Sequence, residues 1–160
     1  MPPLKRTVTP AQAQVRLEDL CAKAERCTWE LRQKLRLWQI APSEAEAIID
    51  RMTRTRFVDD ARFAHSVVHD KVSFERRGRL YLRRYLAARH IPSATIADAL
   101  ADIDEDVYQK NLVHVLQARL RSKPELAETF EGRTKVYRYG VARGYEPALV
   151  SEVLKALLRK

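Results

Sequence analysis

"LRRYLAARHIPSATIADALADI", residues 82–103, reads as a short amphipathic helix, a proline turn and a second helix, and its pattern occurs three times in the chain. Set beneath it without gaps, "LRQKLRLWQIAPSEAEAIIDRM" from Leu31 and "VYRYGVARGYEPALVSEVLKAL" from Val136 place apolar residues in register. Leu31, Leu82 and Val136 coincide, as do Ile40, Ile91 and Tyr145. The second helices align through Ala45, Ile96 and Val150, then Ile49, Leu100 and Leu154, then Met52, Ile103 and Leu157. Each turn carries a proline: Pro42, Pro92 or Pro147.

Working outward, a further helical run precedes each copy: Ala11 to Arg26, Asp60 to Phe74, and Glu105 to Arg121. The expected architecture is therefore all-α, an elongated, curved tandem array of three three-helix modules. Residues 1–9 form a disordered lead-in, 10–58 the first module, 59–103 the second and 104–160 the third. A three-helix unit of about 50 residues buries little apolar surface by itself, so neighbouring modules should dock and share core. Ser122 to Thr134, "SKPELAETFEGRT", reads as an irregular link.

Local punctuation supports these helices. Thr9 before Pro10 offers an N-cap with proline at the first helical position, and Ser43 with Glu46 matches a capping box. Asp59/Asp60 and Asp104/Glu105/Asp106 place negative charge at helix starts, where the macrodipole favours it, and are read as caps rather than catalytic pairs. Four glycines in 160 residues leave little provision for hairpins.

Composition narrows the function. Thirty Lys+Arg against 21 Asp+Glu give a formal charge of +9, which draws the chain toward polyanions: DNA, RNA or an acidic protein surface. No apolar run is long enough to span a membrane, and the start lacks the apolar core of a secretory signal, so a cytoplasmic protein is expected, and the basic net charge favours a monomer. Cys21 and Cys27, six apart in a region that reads as helical, would lie about 9 Å apart, beyond disulfide reach, and are expected as packed thiols.

Lys71 to His90 holds seven Lys/Arg against one acid, Glu75. With about 100° per residue, Leu82, Tyr85, Leu86 and Arg89 share the packing face. Lys71, Arg76, Arg77, Arg79, Arg83 and Arg84 are left as candidate contacts for a partner or nucleic acid. The matched helices add Arg32, Lys34 and Arg36, and Arg133, Lys135 and Arg138. The plain alternative is that these arginines are solvated and their stems cover apolar rims. Arg89 and Arg143, at matched helix ends, are read as structural, bonding terminal carbonyls. Tyrosines at helical spacing are more often core or rim residues with a hydroxyl reaching water, and only Tyr81 and Tyr137, off the main faces, are candidates to stack on bases.

Catalytic signals are lacking. His65 and His69 stand i, i+4, but the glutamate of a zinc-protease motif and a third ligand at diagnostic spacing are missing. "FEGRTK" lacks the second glycine and Lys-Ser/Thr ending of a phosphate loop, and no nucleophile sits in a known motif. Neither an enzyme nor a cofactor is expected.

The stretch Phe57 to Leu100 resembles the RecX family of bacterial regulators of the RecA recombinase. The resemblance is carried by Phe57-x-Asp59-Asp60-x-x-Phe63-Ala64, by Gly78 before a basic helix, by the Leu86–Ile91 helix end and by the Ile96/Leu100 helix. The third module continues it with "VYRYGVARGYEPALVSEVL". It implies tandem three-helix repeats lying in the groove of a RecA filament on single-stranded DNA, restraining ATP hydrolysis and strand exchange without a catalytic site. Trp38 stands where the other copies have Arg89 and Arg143, and Gly140 where they have Leu35 and Leu86. The competing reading is a helical-repeat protein that binds single- or double-stranded DNA directly, without a recombinase.

Overall fold

The computed structural model describes residues 7–159, so most of the lead-in expected over 1–9 lies outside the described residues. Within that range the chain is all-helical: α1 (Pro10–Lys23), α2 (Thr28–Leu37), α3 (Pro42–Arg54), α4 (Asp60–Ser73), α5 (Arg79–Ala88), α6 (Ser93–Ala101), α7 (Glu105–Ser122), α8 (Phe130–Ala142) and α9 (Pro147–Leu158). A short 3-10 turn, Pro124–Ala127, lies between α7 and α8.

The helices fall into three successive trios, α1–α3, α4–α6 and α7–α9, and the closest helix pairings all lie within a trio. The register drawn from the sequence is largely the register of burial, with Ala45, Ile103 and Leu157 half-buried. Leu31, Leu82 and Val136 are buried, as are Ile40, Ile91 and Tyr145, and Ile49, Leu100 and Leu154. Each trio has a core, and the second also takes in Cys27, with Trp29 packed against it, from the first, so neighbouring units share core as expected; each buried aliphatic side chain contributes roughly 1.5–3 kcal/mol. The matched residues Gln39, His90 and Gly144 all have positive φ, at 58°, 59° and 102°. They are the left-handed residues that end α2, α5 and α8 and turn the chain into the next helix.

Several helix boundaries differ from those expected. Ser43 does not cap α3: Ala41 is the N-cap without a side-chain bond, because Pro42, lacking an N–H and preset in φ, takes the first helical position. Glu46 is consequently free to pair with Arg32. The irregular link is shorter than Ser122–Thr134, since Thr129 Oγ1 accepts the Gly132 N–H at 2.9 Å and starts α8 at Phe130. Cys21 and Cys27 do not share a helix. α1 ends at Lys23 and Cys27 is the buried N-cap of α2; both thiols are free. Thr9 with Gln12 forms the cap of α1, and Asp59 and Asp104 cap α4 and α7.

Candidate partner and nucleic-acid interface

The basic stretch divides into a buried joint and an open face. Its first half, Glu75 to Leu80, joins the second trio to the third. A helix start leaves orphan N–H groups and a helix end leaves orphan carbonyls. Here one set satisfies the other: Gly78 N–H donates to Arg143 O at 3.0 Å and Leu80 N–H to Gly144 O at 2.9 Å. The two helices therefore meet positive end to negative end. Gly78 is required at this junction, because a Cβ there would lie 2.2 Å from the Gly144 carbonyl carbon and 2.3 Å from the Tyr145 nitrogen.

Arg79 occupies the centre of this joint. Its backbone N–H donates to Tyr108 Oη at 3.0 Å, and Nη1 bonds Glu146 at 2.8 Å. Nη2 bonds Glu105, the guanidinium lies 4.0 Å from the Tyr108 ring centroid, and Tyr108 donates its hydroxyl proton to Glu146. Burial, then acceptance by Glu146, pushes the Tyr108 phenol well above its usual range. Arg79 is thus an internal tie, with a side chain only 21% exposed, and not the open contact that its place on the helical stripe suggested. The stripe located its helix face correctly but could not place carboxylates 26 and 67 residues away.

Neighbouring cations are engaged as well. Lys71 binds Glu75 at 2.9 Å and lies over the Tyr85 ring, whose other cationic neighbour is Arg89 at 3.6 Å. Arg77 covers Tyr81 at 4.4 Å. Tyr81 is half-buried and its Cβ lies against Gly144, while Tyr137 packs on the third core, so both are rim residues and not free stacking platforms. Arg89 bonds Tyr85 O within its own helix, as expected of a helix-end arginine. Arg143 instead reaches back to Glu75 O and Arg76 O, and Tyr145 Oη donates to Arg76 O at 2.7 Å. The repeat also hides a parallel joint. Thr28, which matches Arg79, donates its N–H and hydroxyl to Asp60, which matches Glu105, both at 2.8 Å. Arg62 pairs with Glu25 across the same boundary, and Trp29 stacks on His90 at 6.0 Å.

The remaining candidates are exposed cations on the second helix of each trio. Arg83 and Arg84 on α5, Lys34 and Arg36 on α2, and Lys135 and Arg138 on α8 stand outside the cores, with no carboxylate within ion-pair distance among the described residues. Arg76 is half-buried, likewise unpaired, and held at φ 52°. Arg32 pairs with Glu46, and Arg133 bonds Ala127 O at 3.1 Å.

No group of ligating side chains suited to a metal is found among the described residues. His65 pairs with Asp102 at 2.8 Å and His69 with Asp70 at 3.2 Å, so the two histidines face different acids. Burial pushes the Cys27 thiol up to about 12 and raises Cys21, leaving both as protonated packing groups. No helix among the described residues is long and apolar enough to cross a membrane.

With this geometry in view, the comparisons with known proteins point one way. A sequence model of the second three-helix domain of RecX matches residues 59–100, the α4–α6 trio. The regulatory protein RecX of Ralstonia nicotianae is 28% identical over 150 residues, covering 91% of this chain and 88% of that protein. RecX of Xanthomonas oryzae pv. oryzae is 33% identical over 108 residues, 66% of this chain and 65% of the relative, so the match spans just under two thirds of its length. A crystal structure of RecX from Lactobacillus salivarius superposes with a TM-score of 0.80 over 92% of this chain and 96% of that one, at 15% identity, a likeness of fold.

Proposed function

The chain belongs to the RecX family, and from that premise we propose that it is a non-enzymatic regulator of the RecA recombinase, seated in the groove of the RecA filament on single-stranded DNA. Its trios correspond to the modules 10–58, 59–103 and 104–160, each offering its second helix to the filament. There it restrains ATP hydrolysis and strand exchange.

The observation carrying this reading is that matched helices of one array present unpaired cations: Lys34 and Arg36, Arg83 and Arg84, Lys135 and Arg138. A helical polymer presents the same acidic or phosphate surface at regular intervals. Linked weak contacts along it gain avidity without any single strong site. The contact set is accordingly narrower than the basic residues of the sequence, because Arg79 and Lys71 are consumed within the molecule.

Co-sedimentation with recombinase filaments assembled on single-stranded DNA tests the binding step. The protein should pellet with filaments at physiological salt and remain in the supernatant with free recombinase lacking DNA. Equal recovery with naked DNA and with filaments, falling steeply as salt rises, would favour direct nucleic-acid binding instead.

A further inference from the structure

A second basic feature lies apart from those exposed cations. Between the second and third trios is a cleft of about 310 Å³, walled by Arg76 from the α4–α5 link, by His114 and Arg119 on α7, by Tyr139 on α8 and by Arg143 at its C-cap. Its α7 wall is one face of that helix, with Val115 buried beneath, Ala118 exposed beside it and Ser122 at the end. Glu75 is the acid at the rim, and its carboxylate is already held by Lys71 at 2.9 Å. None of Arg76, Arg119 and Arg143 has a carboxylate within ion-pair distance among the described residues. The Arg143 Nε is buried without a hydrogen-bond acceptor, leaving a fixed cation in the wall, and its Nη2 clamps the Glu75 and Arg76 carbonyls so that Arg76 is held at the rim. Arg119 lies 5.1 Å from the centroid of Tyr139, whose side is open to solvent.

We propose that this cleft binds a phosphodiester of single-stranded nucleic acid, with Arg76 and Arg119 on the phosphate oxygens over the fixed charge of Arg143, and an adjacent base stacked on Tyr139. Three guanidinium groups from three chain segments suit a compact anion with several acceptor oxygens. An aromatic face beside them suits an unstacked base, a combination typical of single-strand sites. The proposal deepens the regulatory reading and rests on it for the biological source of the strand. It was not legible in the sequence, because Arg119 and Tyr139 lie in different helices and Arg76 joins them only through the left-handed link.

Fluorescence anisotropy with a labelled oligothymidylate, without recombinase, separates this site from the regulatory reading. Arg76→Gln with Arg119→Gln should lower the slope of log affinity against log salt by about 0.7, the value for one phosphate no longer neutralised on a single strand. Tyr139→Leu should weaken the oligothymidylate about tenfold or more while leaving an abasic oligomer of equal phosphate number unaffected. Lys155→Gln, an exposed cation on α9, should move neither. Far-ultraviolet circular dichroism and urea midpoints keep misfolding distinct from a direct effect on binding. Unchanged affinity and slope in the double variant would overturn the site. Equal weakening of binding to polyglutamate and to the oligomer would overturn it in favour of an acidic protein surface. Recombinase ATPase is read separately on the same variants, so failure of strand binding and failure of regulation are distinguishable.

Discussion

Arg79 and Arg84 are five residues apart on one basic helix, yet they have different fates. Arg79 is tied to Glu105, Glu146 and Tyr108, whereas Arg84 projects into solvent. Arg79→Gln should therefore cost about 2 kcal/mol in urea unfolding, since charge-assisted hydrogen bonds are worth roughly 1.5–3 kcal/mol and Glu146 would be left without its cation. Arg84→Gln should stay within about 0.5 kcal/mol. Cys27 offers a second test at this scale. Its thiol is pushed up to about 12 from 9.0, chiefly by burial, so the folded state favours the protonated form. The stability it contributes is complete below about pH 9 and is lost as pH rises toward 12. Under native conditions an alkylating reagent should modify Cys21 before Cys27, and Cys27 only at the rate of unfolding. Rapid native labelling of Cys27 would contradict its burial.

Helices and their pairings were largely legible in the sequence because burial repeats locally. Leu31, Leu82 and Val136 fall in register, and so do the left-handed residues Gln39, His90 and Gly144 that close the second helices. The joints were not legible, because they depend on partners distant in the chain. Nothing near Thr28 announces Asp60, and nothing near Gly78 announces Gly144. Gly140 shows how the third copy adapts: where Leu35 and Leu86 pack, a Cβ would already approach Val150 to 2.8 Å, so α8 sits closer to α9 than a leucine allows. At Gly78 the neighbour is backbone, which cannot yield as a side chain can. Gly78→Ala should open the joint between the second and third trios while leaving the α4–α6 core folded. Hydrogen exchange should then show reduced protection at Gly78 and Leu80 with retained protection at Leu82 and Leu86. Unchanged protection at Gly78 and Leu80 would mean that the head-to-tail junction is not what holds the trios together.

Across the whole molecule, the positive charge is partitioned. One part is spent internally at successive joints, where Arg62 meets Glu25 and Arg79 meets Glu105 and Glu146. The other remains open on matched second helices at Lys34 and Arg36, Arg83 and Arg84, and Lys135 and Arg138. The net charge of +9 reports the sum and not the division, which is why composition pointed to a polyanionic partner without locating the surface. On the proposed account the internal part sets the spacing of the array and the open part meets the filament. Steady-state ATP hydrolysis by the recombinase on single-stranded DNA, titrated with this protein and with its Arg83→Glu/Arg84→Glu variant, measures that division most directly. The native protein should lower turnover at substoichiometric amounts. The variant, with helicity and urea midpoint unchanged, should leave turnover at least tenfold less sensitive to added protein. Restraint by the variant equal to that of the native protein would contradict the account, as would no effect of the native protein at saturation.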